Sequence, residues 1–111
     1  MKYYIIAGET SGDLHGARLA KQIVETDTQA QIRACGGDLL RKAGATVVKD
    51  YKDMAFMGFV EVATHLNKIF SNFAFCKKDI IDFQPDVVIL IDYPGFNLRM
   101  AKYLHKKQIP T

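Results

Sequence analysis

At 111 residues, 49% hydrophobic and 24% charged, the chain is sized for one soluble domain with a real core and is too short for two. An aromatic share of 11%, only three prolines and the lack of any Ser- or Gln-rich tract exclude disorder, repeats and low complexity. The formal charge of +3 is too mild for a bulk nucleic-acid binder, and it gathers at the end, where Arg99, Lys102, Lys106 and Lys107 follow the last acid, Asp92.

The longest uncharged apolar stretch, Met54 to Val60, falls far short of the roughly 18 residues of a membrane span. At the N-terminus one Lys precedes Tyr3 to Ala7, a run shorter than the roughly 7 to 15 apolar residues of a signal peptide, with no cleavage pattern after it. Together these predict a cytoplasmic address. Cys35 and Cys76 form neither a CxxC nor a zinc spacing, so both are expected to be reduced and structural.

Taken in order, Lys2 to Ala7 is a short apolar run ended by Gly8, as expected of a buried strand in a parallel sheet. After the loop Gly8 to Gly12, Leu14, Ala17, Leu19, Ala20, Ile23 and Val24 recur at helical spacing, and Thr10 with Asp13 resembles a capping box. Gln31 to Cys35 reads as a second strand closed by Gly36 and Gly37. Asp38 to Ala43 then reads as a short helix stopped by Gly44, and Thr46 to Val48 as a third strand. Met54 to Val62 follows neither period cleanly and is expected to be a loop leading into a helix. Leu66, Ile69, Phe70, Phe73, Cys76, Ile80 and Phe83 mark a long amphipathic helix stopped by Pro85. Val87 to Ile91 is the clearest buried strand. It is broken by Asp92 to Gly95, and a last helix is expected to start near Asn97 as cap, with Leu98, Ala101 and Leu104 inward.

Strands alternating with helices predict right-handed crossovers and a Rossmann-like α/β unit, a mostly parallel sheet with helices on both faces. Ile109 to Thr111 stands where the next strand of such a unit would begin, so residues 1–111 read as a piece of a longer protein. An uncovered edge strand of such a piece is open to self-association.

Open α/β sheets bind ligands beyond the carboxyl ends of their strands, which selects the loops after the first strand and after Ile91. The first offers backbone N–H groups and hydroxyls at a helix N-terminus. It lacks G-x-G-x-x-G, and Asp13 and Leu14 stand where a P-loop has Lys and Ser or Thr. Spacing alone favours the plainer reading, in which Gly8, Gly12 and Gly16 permit a tight turn and close packing. Asp92, directly after five apolar residues, is expected partly desolvated at the crevice end of a central strand, where a carboxylate can act as a base or serve as a turn residue held by backbone amides. Pooling Glu9, Asp13 and Asp92 as a metal site is a weak signal. His15, His65 and His105 read as surface or packing residues. Arg99, Lys102 and Lys106 form a stripe that suits either a solvated face or an anionic membrane surface. Phe56, Met57, Phe59, Phe70, Phe73 and Phe75 suit a core or an acyl-chain pocket.

Four blocks carry a family resemblance: Ala7 to Ala17, Gly36-Gly37 through Ala43-Gly44, Met57 to Val62, and Ile91-Asp92-Tyr93-Pro94-Gly95-Phe96-Asn97. In order and spacing they resemble the N-terminal half of the lipid-A-disaccharide synthase family, over essentially the whole chain. The resemblance implies the N-terminal, acceptor-side part of a two-domain glycosyltransferase-B fold, with the UDP-sugar-binding domain lying outside this chain. It implies a peripheral inner-membrane enzyme of lipid A biosynthesis, on the cytoplasmic face, with no metal or other cofactor and no nucleic-acid partner. The implied reaction moves diacylglucosamine from UDP-diacylglucosamine to diacylglucosamine 1-phosphate with inversion, releasing UDP, and the isolated piece is expected to be inactive. Matched to the family's motifs, Asp92 is the implied base. Gly8, Glu9, Ser11, Gly12 and Asp13 are implied to line the acceptor side, Glu61 to orient sugar or loop, and Asn97 to stiffen the second motif. Many members have Ala where Tyr93 stands and a second acid where Gly95 stands, which leaves Asp92 as the acid of this loop. The competing readings are a non-catalytic nucleotide- or anion-binding module of Rossmann type, against which the acids of the first loop speak, and a folded interaction domain. Polar replacement of Phe56 and Phe59 is expected to weaken acyl-chain or membrane binding without unfolding.

Overall fold

The computed structural model describes residues 1–54 and 66–111. The elements are β1 (Lys2–Ala7), α1 (Thr10–Thr26), β2 (Gln31–Gly36), α2 (Asp38–Lys42), β3 (Thr46–Asp50), α3 (Tyr51–Met54), α4 (Leu66–Phe83), β4 (Val87–Ile91) and α5 (Pro94–Lys106). The expected loop over Met54 to Val62, Glu61 and the aromatic residues Phe56, Met57 and Phe59 lie outside the described residues, apart from the end of α3.

The four strands form one parallel sheet in the order β3-β2-β1-β4. Alternation along β1 sends Tyr4 and Ile6 to one face and Ile5 and Ala7 to the other, and all four are fully buried. Each face builds its own core. Tyr4 and Ile6 pack with Cys35, Val88, Cys76 and Ile80 of α4, and Phe96, Met100 and Leu104 of α5. Ile5 and Ala7 pack with Ile32, Ala34, Ala20 of α1 and Leu40 of α2. The chain is the Rossmann-like α/β unit expected from its alternating elements.

Two helices turn differently from the expected stripes. The buried face of α1 is Gly12, Asp13, Gly16 and Ala20, whereas Leu14, Leu19 and Val24 are about 40% exposed. Small residues take the sheet contact because they let the helix approach closely: a Cβ on Gly16 would lie 3.3 Å from Ile91 Cδ1. On α5 the inward residues are Phe96, Asn97, Met100 and Leu104, and Leu98 is 71% exposed.

Helix ends follow simple chemistry. Gly44, with φ of 106°, ends the α2 turn in the left-handed conformation that glycine adopts freely. Gln84 follows α4 with φ of 54°, its N–H donating to Ile80 O at 3.0 Å, and Pro85 prevents any continuation. One polar cluster anchors α4 to the strands. Asp79 accepts both Arg33 Nε and Nη2 at 2.7 Å and the Tyr4 hydroxyl at 2.8 Å.

Candidate functional site

The topology itself creates a crevice. From β1 the chain steps outward through β2 to β3, then returns to the other side of β1 with β4. The order reverses between β1 and β4, and open α/β sheets hold ligands beyond the strand ends at such a reversal. Ala7 pairs with Ile91, so the loops beginning at Gly8 and Asp92 leave the sheet side by side.

In the first loop Glu9 is the N-cap of α1, exposed, with extended backbone and no side-chain capping bond. The expected Thr10–Asp13 capping box does not form. Thr10 already belongs to the helix and its hydroxyl donates to Tyr51 Oη at 3.4 Å, while the Asp13 N–H donates to Glu9 O at 2.9 Å. The Asp13 side chain, 4% exposed, turns instead to the start of α2. Its Oδ1 accepts the Gly37 N–H at 2.8 Å and the Leu40 N–H at 3.2 Å, and its Oδ2 accepts the Leu39 N–H at 3.2 Å. The cause is local: the N-cap of α2 is Gly37, which has no side chain to offer its orphan amides. Gly37 must be glycine, since a Cβ there would lie 2.5 Å from Tyr51 Cε1 and 2.8 Å from Asp13 Oδ2. Of the loop, Glu9, Thr10 and Ser11 are exposed, whereas Gly8, Gly12 and Asp13 are buried and shape it.

The second loop has an unusual backbone. Asp92 and Tyr93 are consecutive left-handed residues, with φ of 50° and 55°. For L-residues this conformation costs about 1–2 kcal/mol each, and Asp tolerates it better than a bulky Tyr. Asn97 holds the turn from below. Its Nδ2 donates to Asp92 O at 2.5 Å and to Ile91 O at 3.3 Å, and the residue is 5% exposed. Asn97 is therefore not the N-cap expected from sequence. That place belongs to Tyr93, with Pro94 at the first helical position, and Asn97 lies within the first turn of α5. Among the described residues Asn97 Oδ1 is buried without a hydrogen bond.

Asp92 is exposed, and its carboxylate has no partner among the described residues. Two expectations change here. Asp92 is exposed rather than partly desolvated, and among the described residues no backbone amide donates to it as a turn residue. On the side of β4 away from β1, the Val88 N–H donates to Pro110 O at 2.9 Å. Glu9, Asp13 and Asp92 do not gather into a metal-holding group among the described residues.

Sequence reasoning missed Tyr93. Its ring stacks on Phe96 at 5.0 Å and 14°, and it covers Gly8 so closely that a Cβ there would collide with the ring. Burial raises the Tyr93 phenol above its ordinary value, with Cys76 and Glu9 adding to the effect. At Gly95 a Cβ would meet nothing within 4 Å, so the missing second acid reflects no lack of room. Phe73 packs edge-on against Phe96 at 5.2 Å, while Phe75 is 40% exposed. His15 and His105 are exposed, as a surface role requires. A shallow groove of about 390 Å³ between α1 and α2, lined by Leu14, Arg18, Lys21, Leu39 and Lys42 among others, shares no residue with the two loops. No described helix is long and apolar enough to cross a membrane.

Comparison with known proteins gives the chain its family. The chain is 43% identical to the lipid-A-disaccharide synthase of Trichlorobacter lovleyi over 102 residues, which is 92% of this chain and 27% of that protein. It is 44% identical over 98 residues to the namesake protein of Geobacter metallireducens, 88% of this chain and 26% of the relative. It is 41% identical over 103 residues to lipid-A-disaccharide synthase 1 of Legionella pneumophila, 93% and 27%. The chain thus spans about a quarter of the length of these relatives. A family model described as lipid-A-disaccharide synthetase matches residues 3–111, both crevice loops included, and the chain belongs to that family.

Proposed function

We propose that this chain is the acceptor-side part of an inverting glycosyltransferase of lipid A biosynthesis, which moves diacylglucosamine from UDP-diacylglucosamine to diacylglucosamine 1-phosphate. The observation that carries the reading is the Asp92 carboxylate, exposed and without a partner among the described residues, at the strand-order reversal, on a left-handed turn held by Asn97 and beside the Gly8 to Asp13 loop. The reaction requires an acceptor hydroxyl to lose its proton as its oxygen bonds to the sugar's anomeric carbon and the bond to UDP breaks on the opposite face. Asp92 takes that proton. A free, solvated carboxylate suits a base that is reset by water after each turnover. Glu9 and Ser11 face the acceptor's hydroxyls, and Gly8 and Gly12 let backbone come close to it. Asp13 acts through the loop it pins, as a positioning residue, and Asn97 does so for Asp92. Glu61 orients sugar or loop. Domain closure by the rest of the enzyme completes the site and excludes water, so the isolated chain is inactive. The exposed Leu98 beside Arg99 and Lys102 supports peripheral contact with the anionic inner-membrane surface.

Asp92→Asn in the complete enzyme tests the assignment. Turnover should fall by about two to four orders of magnitude, with an unchanged unfolding midpoint. Near-normal turnover would remove Asp92 from the chemistry.

A further inference from the structure

The two cysteines, 41 positions apart, meet in the core. Cys35 of β2 and Cys76 of α4 place their sulfurs 3.3 Å apart, and both residues are fully buried. The Tyr4 hydroxyl lies 3.7 Å from Cys35 Sγ, and its proton is committed to Asp79 at 2.8 Å. The hydrogen bond between the sulfurs has opposite effects on them. It raises the Cys76 thiol, with burial adding to the rise, and it draws Cys35 down against the effect of burial. Neither thiol takes part in the proposed transfer chemistry.

We propose that Cys35 and Cys76 are an oxidisable pair that closes to an intramolecular disulfide when the protein meets a peroxide, stapling α4 to β2. The Cys35 thiolate attacks one peroxide oxygen, the O–O bond breaks, and a sulfenic acid forms as the other oxygen leaves as water. The Cys76 sulfur then attacks the sulfenic sulfur: the S–S bond forms, the S–O bond breaks and a second water leaves. Two electrons pass from the sulfurs to the peroxide, and both thiol protons end in water. Closure needs the sulfurs to move from 3.3 Å to about 2.05 Å, and both residues belong to one core cluster. Cys35 directly precedes Gly36 and Gly37, and the Gly37 amide holds Asp13, so the staple fixes α4 to the strand beneath the first crevice loop.

The test is non-reducing peptide mapping of the full-length protein after graded hydrogen peroxide. The expected result is a Cys35 peptide linked to the Cys76 peptide, with a whole-protein mass lower by two hydrogens and a raised unfolding midpoint, all reversed by dithiothreitol. In Cys76→Ser the linked peptide should vanish and Cys35 should accumulate as a dimedone-trappable sulfenic acid. Both thiols remaining alkylatable in the denatured wild-type protein would overturn the proposal. So would separate over-oxidation without a linked peptide, and this wild-type measurement decides the matter even where the variant does not fold.

Discussion

The carboxylate of Asp13 faces three backbone amides, and that is a structural burden before it is anything else. Hydrogen bonds to a charged group are strong, and removing the acceptor leaves buried N–H donors unsatisfied. Asp13→Ala should therefore lower stability by about 2–4 kcal/mol in urea unfolding, with Asp13→Asn intermediate. An unchanged midpoint would instead make Asp13 a ligand of solvent or substrate. The sequence marks this loop by its glycines and acids, yet the partner of Asp13 lies 24 residues further on, and no local pattern announces it. Asn97 is a different failure. An Asn ahead of helical spacing looks like a cap, but Pro94 was the better signal, because proline favours the first helical position and places the cap at Tyr93.

At the level of elements, α4 is tied to the sheet by the Arg33, Asp79 and Tyr4 cluster, and the tie should respond to pH. Burial alone would raise the Asp79 carboxyl, but the bonds from Arg33 and Tyr4 outweigh it and hold it below its ordinary value. A folded value below the unfolded one means that ionised Asp79 stabilises the fold at neutral pH. That contribution fades as pH falls from the ordinary 3.8 through the lower folded value. The Arg33 side chain is 34% exposed, so water moderates the pair. Asp79→Asn should be less stable at pH 7 and lose less on acidification, as followed by thermal unfolding between about pH 6 and pH 2.5. Parallel pH profiles would contradict this role. Periodicity reveals α4 and its stop at Pro85, because a wide apolar stripe is a strong signal. It misplaces the inner face of α1, where Gly12, Gly16 and Ala20 make the contact and the larger Leu14 and Leu19 are left outside. Hydrophobic weighting overlooks packing by small residues.

Across the whole molecule, alternating strands and helices suffice to specify a parallel α/β sheet, and the sheet's order then brings the Gly8 and Asp92 loops together. The place of β4 beside β1 was not legible, since an apolar run does not name its neighbour in the sheet. Nor was the meeting of Cys35 with Cys76, which depends on packing α4 across β2. The motifs that begin at Ala7, Gly36 and Ile91, by contrast, were plain in the sequence, and they lie at the carboxyl ends of β1, β2 and β4. Hydrogen exchange of the full-length protein, followed by mass spectrometry, tests most directly whether this crevice holds the acceptor. Adding diacylglucosamine 1-phosphate should slow exchange in peptides covering both residues 8–13 and 92–97, while UDP alone should leave both unchanged. Protection of the first loop by UDP, with no response to the acceptor, would contradict an acceptor site here and identify the crevice as a nucleotide site.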